Sequence, residues 1–209
     1  MNVKALGRLA PESKLFLAEG ASEEGFIRKI LEKHSDQQSV VFCFAGLGDL
    51  STVLKSISGV PGINNLKSLG LMLDAEVDFN ARVSSVIGHF ANHNITLPPG
   101  DVHNSRVSLH GSCRIGVYIS PGAGSSGRIE DTALIEIQET KLWSCVDAYA
   151  KCIESALGKE FDKKSIVQTY ISTIKGDLCG LGRAFQANIL NVAHTAYDTP
   201  RILIEDLIR

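Results

Sequence analysis

Apolar and polar positions along the first half of the chain follow two alternating periods. Four short apolar runs have the length of buried strands, and they span residues 14–18, 40–45, 69–73 and 114–119. After each of the first three runs, apolar residues recur at helical spacing, over residues 22–31, 50–57 and 80–92. Strands that alternate with helices in this way predict a mostly parallel sheet with helices on both faces.

Local signals predict where these elements begin and where the rhythm breaks. Ser22, which is followed by two acidic residues, is expected to cap the first helix, and Asp49 is expected to cap the second. Residues 95–113 interrupt the alternation with proline and glycine turns. Within that interruption, residues 107–109 predict a short antiparallel strand.

The second half of the chain has an almost entirely helical pattern. Helical spacing covers residues 129–139, 143–156, 163–174, 182–191 and 201–208. We therefore predict an α/β domain over residues 14–128 and a helical C-terminal extension over residues 129–209. No linker composition separates them, so we expect the two parts to pack as one unit. Apolar residues near the C-terminus either close the core or form a homodimer, and the sequence leaves both open: Ile202, Leu203, Ile204, Leu207 and Ile208.

Composition and charge narrow the class of protein only slightly. The 209 residues are 44% hydrophobic and 21% charged, which is typical of a globular protein, and the net charge of -2 gives no general attraction to nucleic acid. No apolar run approaches the roughly 18 residues that span a bilayer, so no membrane association is expected. Five cysteines without a C-x-x-C pair predict reduced thiols in a cytoplasmic protein.

Carboxylates follow two of the predicted strands directly. Glu19 ends the first strand, Asp74 ends the third, and Glu76 and Asp78 come just after it. The carboxyl ends of neighbouring parallel strands meet at one edge of the sheet, where ligands collect. Several oxygen ligands without a nearby His or Cys cluster suit Mg²⁺ or Mn²⁺, which would relieve the repulsion between the acids. The alternative is a solvated loop whose acids cap the helix that begins near Asp78.

Two segments resemble the motifs of the Toprim domain. Residues 17–31, LAEGASEEGFIRKIL, resemble its first motif, a strand that ends in Glu-Gly and precedes a helix. Residues 71–90, LMLDAEVDFNARVSSVIGHF, resemble its second motif, a strand that ends in Asp-x-Asp. The segment GVYISPGAGSSGRIEDTALIEI, at residues 116–137, resembles a small bacterial family of stand-alone Toprim-like proteins, related to the Toprim part of the overcoming-lysogenization-defect (OLD) nucleases. The resemblance implies a Toprim-like, Rossmann-like sheet flanked by helices.

The resemblance also implies roles for individual residues. Glu19 matches the Toprim glutamate and Asp74 the first aspartate of Asp-x-Asp, while Glu76 replaces the second aspartate. Because octahedral Mg²⁺ tolerates little misplacement of its ligands, Asp78 is a candidate for the missing one. In the OLD-like nucleases a further acid and a lysine complete a two-metal site. Glu130, with Asp131 beside it, matches the acid, and Lys164 is the candidate lysine.

Two further patterns compete with this interpretation. Gly122, Gly124 and Gly127 form G-x-G-x-x-G between a predicted strand and a predicted helix, which is typical of a dinucleotide or phosphate site. The strand-ending acid expected about twenty residues later is missing, so a turn that positions Glu130 is the alternative. His89 and His93 have the spacing of zinc ligands on one helix face, but the sequence offers no third ligand.

The expected function follows from the acidic residues. We expect Mg²⁺- or Mn²⁺-dependent phosphodiester hydrolysis, as in a nuclease, or a related phosphoryl transfer on DNA or RNA. The alternative is a non-catalytic module that binds nucleic acid, a nucleotide or a partner protein, which the replacement of the second aspartate by Glu76 favours. The chain has no G-x-x-x-x-G-K-[ST] motif, so an ATPase partner would be a separate protein.

Overall fold

The computed structural model describes residues 13–59, 66–176 and 180–209. The strands in these residues are β1 (Ser13–Ala18), β2 (Ser39–Cys43), β3 (Leu66–Asp74), β4 (Val107–His110) and β5 (Cys113–Ser120). The helices are α1 (Ala21–Lys33), α2 (Leu47–Gly59), α3 (Phe79–Ala91), α4 (Pro99–His103), α5 (Ile129–Gln138), α6 (Trp143–Leu157), α7 (Lys163–Lys175), α8 (Leu181–Gln186) and α9 (Asp198–Ile208). None of these helices is both long and apolar enough to cross a membrane.

The strands form one sheet in the order β2-β1-β3-β5-β4. The first four strands of this order run parallel, and β4 pairs antiparallel with β5. The prediction of a mostly parallel sheet flanked by helices is confirmed, as is the short antiparallel strand. Since β1 lies beside β3, the residues that follow these two strands emerge at the same edge.

Alternating side chains along each strand build a core on both faces of the sheet. On β1, Leu15 and Leu17 pack with residues of α2, α3 and α4, while Phe16 and Ala18 pack with α1 and the C-terminal helices. Phe16 is 1% exposed and Leu17 is fully buried. Complete burial of one such side chain contributes about 1.5–3 kcal/mol, so a strand with both faces covered is held strongly in register.

The last helix packs directly on the middle of the sheet. A Cβ atom at Gly116 would lie 2.8 Å from Leu203 Cδ1, and one at Gly70 would lie 3.2 Å from Leu207 Cδ1 and only 2.4 Å from Phe16 Cδ1 of β1, so a side chain at either position would press on the packed core. Ser68 Oγ donates a hydrogen bond to the Leu207 carbonyl at 2.6 Å. Core packing therefore accounts for Leu203, Ile204 and Leu207, which are buried, whereas Ile202 is 49% exposed.

The structure corrects two predicted helix starts. The N-cap of α1 is Gly20, not Ser22, because the chain turns into the helix with a φ of 126° that favours glycine. Helix α2 begins at Leu47, so Asp49 is in its first turn, where its carboxylate accepts a hydrogen bond from the Ala45 N–H at 3.4 Å.

Two further corrections concern helix length and number. The helix predicted over residues 182–191 ends at Gln186, because Asn188 adopts a left-handed conformation with φ of 56° and the chain turns back on itself. Apolar residues continue past this turn and stay buried, which is why the pattern looked helical. The short helix α4 lies where the sequence predicted only turns, and Pro99 begins it.

Candidate active site

Five carboxylates line one cleft at the carboxyl edge of the sheet. The cleft has a volume of about 440 Å³, and α1, α7 and the segments that follow β1, β3 and β5 form its walls. We call it the acidic cleft; its acidic residues are Glu19, Glu23, Asp74, Glu76 and Glu130. The sequence predicted four of these five residues.

An arginine occupies the space between the ends of β1 and β3. Arg82, from α3, forms a salt bridge to Glu19 Oε2, and its Nε donates to the Asp74 carbonyl at 2.6 Å. The same Glu19 oxygen accepts the Asp74 N–H at 3.3 Å. Both side chains of the pair are mostly buried, with 15% exposure for Arg82 and 13% for Glu19. The sequence predicted repulsion between the carboxylates at this edge, and the guanidinium of Arg82 relieves part of it.

Asp74 faces the first turn of α5. Its Oδ1 accepts the Ile129 N–H at 2.9 Å, which is a favourable place for an acid because N–H groups are unpaired at a helix start. Burial raises the pKa of Asp74 to about 7, and the negative charges of Glu130, Glu76 and Glu19 add to this, although the Ile129 hydrogen bond opposes it. Asp74 therefore holds a proton more readily than an ordinary aspartate.

Glu23 is the acidic residue of the cleft that the sequence did not single out. It lies in the first turn of α1, four residues after Glu19, and is only 2% exposed. Its Oε1 has no hydrogen-bond partner among the described residues. Burial raises the pKa of Glu23 to about 9, with further increases from the charges of Asp74, Glu130 and Glu19. In the sequence it looks like an ordinary acid at a helix start, and its position only four residues after the strand-ending Glu19 is the signal that could have identified it.

The loop after β3 is tied to the glycine-rich loop after β5. Glu76, in a left-handed conformation with φ of 58°, exchanges two backbone hydrogen bonds with Gly127 at 2.9 and 2.7 Å. Its carboxylate forms a 2.7 Å salt bridge with Arg128, and both side chains are about half exposed. Asp78 lies outside the cleft: it is exposed and caps α3 by accepting the Ala81 N–H at 3.0 Å.

One candidate from α5 and one from α7 also lie in the acidic cleft. Glu130 is 7% exposed and lines the cleft, whereas its neighbour Asp131 accepts the Arg128 N–H at 2.7 Å and pairs with Lys163. Lys164 also lines the cleft, and its ammonium group has no hydrogen bond or ion pair among the described residues. The sequence candidates Glu130 and Lys164 are therefore brought to the same site as Glu19 and Asp74.

The glycine-rich loop borders the site only at its end. All three glycines have positive φ, but Gly122 and Gly124 do not line the acidic cleft, and the Gly127 N–H is already donated to Glu76. A side chain at Gly127 would also collide with the Asp131 carboxylate, at 2.5 Å. This geometry favours the interpretation of a turn that positions α5, and phosphate binding by these glycines stays a prediction.

No preassembled metal centre occurs in residues 13–59, 66–176 and 180–209. No three His, Cys, Asp or Glu side chains there are grouped as they would be around an ion. This includes His89 and His93, and it includes the acidic cleft, where arginines already hold Glu19 and Glu76.

Comparison with known proteins connects the chain to one family. A family model described as "Protein of unknown function (DUF3226)" matches residues 13–206. No curated protein and no solved structure matches the chain.

Proposed function

We propose that this chain, which belongs to that family of proteins of unknown function (DUF3226), binds Mg²⁺ or Mn²⁺ in its acidic cleft and hydrolyses phosphodiester bonds of nucleic acid. A related phosphoryl transfer uses the same groups. The Toprim resemblance of the segments around Glu19 and Asp74 supports the proposal, because these residues follow neighbouring parallel strands. A Toprim-like fold and a cytoplasmic location belong to the same proposal, as do partners such as DNA or RNA, a separate ATPase and a second copy of the chain.

The observation that carries the proposal is the unpartnered Oε1 of the Glu23 carboxylate. A buried polar atom without a hydrogen bond costs about 1–3 kcal/mol, more if it is charged, so such an atom needs a reason. Glu23 Oε1 is buried without a partner in a cleft that also holds Asp74 and Glu130. A cation among these acids would satisfy Glu23 and would oppose the burial and the repulsion that raise its pKa.

The donor set fits a hard divalent cation in its chemistry, but the carboxylates would have to move together to hold the ion, because no three of them are grouped around one in the described residues. The five acidic residues offer carboxylate oxygens, which Mg²⁺ and Mn²⁺ prefer, and His and Cys are absent from the residues that line the cleft. Glu23, Asp74 and Glu130 would hold the ion, with the Glu19 oxygen that Arg82 leaves free. When bound, such an ion polarises a phosphoryl oxygen and lowers the pKa of a bound water.

The chain's own residues would orient the reacting groups. Arg82 fixes one oxygen of Glu19, and Ile129 fixes one oxygen of Asp74, so both carboxylates are held at the end of the sheet before a substrate arrives. Lys164 brings an unpaired positive charge to the same cleft, where it would attract the substrate's phosphate.

A non-catalytic module is the second candidate, and the arginines favour it. Arg82 and Arg128 already neutralise two of the five acids, and no metal-ready group of three ligands exists in the described residues. In this case the cleft would bind nucleic acid, a nucleotide or a protein without chemistry.

Metal-dependent unfolding separates the candidates. We expect Mn²⁺ at a hundredfold excess over its dissociation constant to raise the free energy of unfolding by about 2.7 kcal/mol. Glu23→Gln and Asp74→Asn should lose most of this gain, whereas Glu32→Gln, at the other end of α1, should keep it. Cleavage of single-stranded and duplex substrates should also fall about a hundredfold in Glu19→Gln, on the order of 3 kcal/mol.

The contrary results are equally clear. Equal stabilisation of wild type and both cleft variants would place the metal elsewhere. Stabilisation without any cleavage would favour the non-catalytic module, and equal cleavage by wild type and Glu19→Gln would show that the activity does not come from this cleft.

A further inference from the structure

The acidic cleft continues into a depression on each side. One depression, of about 270 Å³, shares Ala21, Ser22 and Leu181 with the cleft and extends along α8; we call it the α8 depression. The other, of about 620 Å³, shares Glu76, Arg128, Glu130 and Lys164 and extends past the start of α7; we call it the α7 depression. Together they form a groove with the buried acids at its centre.

Two cations of this groove have no partner among the described residues. Lys164 lies where the cleft meets the α7 depression, and Arg183 lies in the α8 depression at the other end. Both side chains are exposed and form no ion pair or side-chain hydrogen bond. The groove's other cations are engaged: Lys163 pairs with Asp131, and Arg128 pairs with Glu76. Of the acids that lie only in the depressions, Glu24 is paired with Arg28 at 2.8 Å and Asp131 with Lys163, whereas Glu160 and Asp162 of the α7 depression form no ion pair among the described residues.

The first turn of α1 adds donors between these cations. Gly20 caps the helix without a side-chain hydrogen bond, and the N–H groups of Ala21 and Ser22 have no acceptor among the described residues. Both residues line the cleft and the α8 depression. Unpaired N–H groups at the start of a helix favour an anion. In the same turn, the buried Glu23 Oε1 has no hydrogen-bond partner among the described residues, which points to a ligand that includes a cation at this position.

We propose that the groove binds one strand of nucleic acid, with Lys164 and Arg183 contacting phosphates on opposite sides of the phosphodiester in the acidic cleft. Arg183 is then the residue that distinguishes a strand from a single nucleotide, since it lines the α8 depression and not the cleft itself. This inference rests on the proposed function, because it takes the acidic cleft as the place of the reacting phosphodiester.

The burial of the acids selects a single strand over a duplex. Glu23 and Glu130 are 2% and 7% exposed, so a backbone must enter the cleft to approach them, which its pairing to a second strand would hinder. No aromatic side chain lines the cleft or either depression. Base stacking is therefore absent, and we expect binding with little sequence preference and a strong dependence on salt.

The test measures binding of a fluorescein-labelled oligothymidylate of about twelve nucleotides, and of thymidine 5′-monophosphate as a competitor. It uses Glu19→Gln as the background, with and without Mg²⁺, so that the strand is not cut. Added Lys164→Gln and Arg183→Gln should each weaken oligonucleotide binding three- to tenfold. Each should also lower the slope of log K against log salt by about 0.7, the value for one phosphate contact on a single strand. Arg183→Gln should leave binding of the monophosphate unchanged, whereas Lys164→Gln should weaken it.

Matched controls and further arms complete the test. Lys33→Gln, at the far end of α1, and Arg106→Gln, before β4, should change neither affinity nor slope. A duplex of the same length should bind more weakly, and a ribo-oligonucleotide shows whether a 2′-hydroxyl is tolerated. Unchanged oligonucleotide binding in Arg183→Gln, or tighter duplex binding, would overturn the inference. Metal-dependent stabilisation in the same proteins reports separately on the proposed metal site.

Discussion

The two ends of the parallel sheet differ in whether their buried charged groups have hydrogen-bond partners. At the amino end, Lys14 is 8% exposed and its ammonium group donates to Asp36 at 2.8 Å and to the Ile208 carbonyl at 2.5 Å. Asp36 also accepts the N–H groups of Gln38 and Ser39, so both of its oxygens are bonded. At the carboxyl end, Glu23 is more deeply buried and keeps an oxygen without any partner among the described residues.

The pKa values of these acids shift in opposite directions. Burial would raise the pKa of Asp36, but the hydrogen bonds from Lys14, Gln38 and Ser39 together hold it below its ordinary value. At the other end, burial and neighbouring acids raise the pKa of Glu23 to about 9 and that of Asp74 to about 7. A buried charge that is fully paired serves the fold, whereas a buried acid that lacks a partner is a candidate for function.

The largest expected effect is the pH dependence that Glu23 confers. Its pKa is near 4.5 in the unfolded chain and about 9 in the folded protein, so between these values the folded protein holds a proton that the unfolded chain has lost. The free energy of unfolding should therefore fall as the pH rises through this window. In Glu23→Gln this loss is absent. At about 1.4 kcal/mol per unit, the variant's advantage at high pH has an upper bound of ~6 kcal/mol.

Urea unfolding near pH 5, 7 and 9, with metal removed by a chelator, measures the difference. Glu160→Gln is the matched control, because Glu160 is exposed and its side chain has no ion pair or hydrogen bond among the described residues, so its stability should follow that of the wild type within about 0.5 kcal/mol. A difference between wild type and Glu23→Gln that stays constant with pH would mean that Glu23 ionises normally and that the contrast between the two ends of the sheet is wrong.

The second-largest effect is expected when the ion pair at the amino end of the sheet is broken. Lys14→Met keeps a long side chain but leaves the Asp36 carboxylate and the Ile208 carbonyl without their donor. Removal of one partner of a buried pair costs about 3–5 kcal/mol, so we expect a loss of about 3 kcal/mol at pH 7 by urea unfolding. The stability from the lowered pKa of Asp36 is present above its ordinary value of 3.8 and is lost as the pH falls below it, so the deficit should shrink in acid.

Lys33→Met is the control for this variant, since Lys33 is exposed at the end of α1. Its loss should be only a few tenths of a kcal/mol. A loss below about 1 kcal/mol in Lys14→Met would show that water reaches Asp36 and that the amino end is not a closed charge pair.

Most of the fold follows from side-chain periodicity, and its failures have local causes. An apolar run predicts a buried strand such as β3, and a glycine such as Gly70 indicates a place where neighbouring side chains approach the strand closely. The helix predicted over 182–191 was too long because burial continues after the chain has left the helix at Asn188. Apolar spacing reports which residues are buried, and a single left-handed residue can end a helix without disturbing that spacing.

The site was predictable where a strand end carried an acid. Glu19 and Asp74 could be placed at one edge because parallel strands bring their carboxyl ends together. Glu23 and Arg82 could not be assigned in the same way, since their importance depends on burial and on a contact across 63 residues of sequence. The sequence indicated that a cation was needed between the acids, but the arginine that supplies part of this charge is identified only in three dimensions.

The smallest expected effect tests whether Arg82 and a metal ion both neutralise the charge of Glu19. Arg82→Met removes the salt bridge to Glu19 and leaves its carboxylate beside Asp74 without a counter-charge. We expect a loss of about 2 kcal/mol with metal removed, which is less than the roughly 3–5 kcal/mol of a fully buried pair because the cleft is open to water.

Mg²⁺ should then stabilise Arg82→Met more than it stabilises the wild type, since the ion can interact with both Glu19 oxygens and no longer lies beside a guanidinium. Thermal unfolding in chelator and in Mg²⁺ gives both quantities, and Arg106→Met, whose side chain is exposed outside the cleft, should change neither. A smaller Mg²⁺ effect in Arg82→Met than in the wild type would instead show that the arginine is needed to hold Glu19 in place for the ion. In that case Arg82 would help to form the metal site. The comparison between the two ends of the sheet predicts instead that Arg82 and the metal ion compete for Glu19.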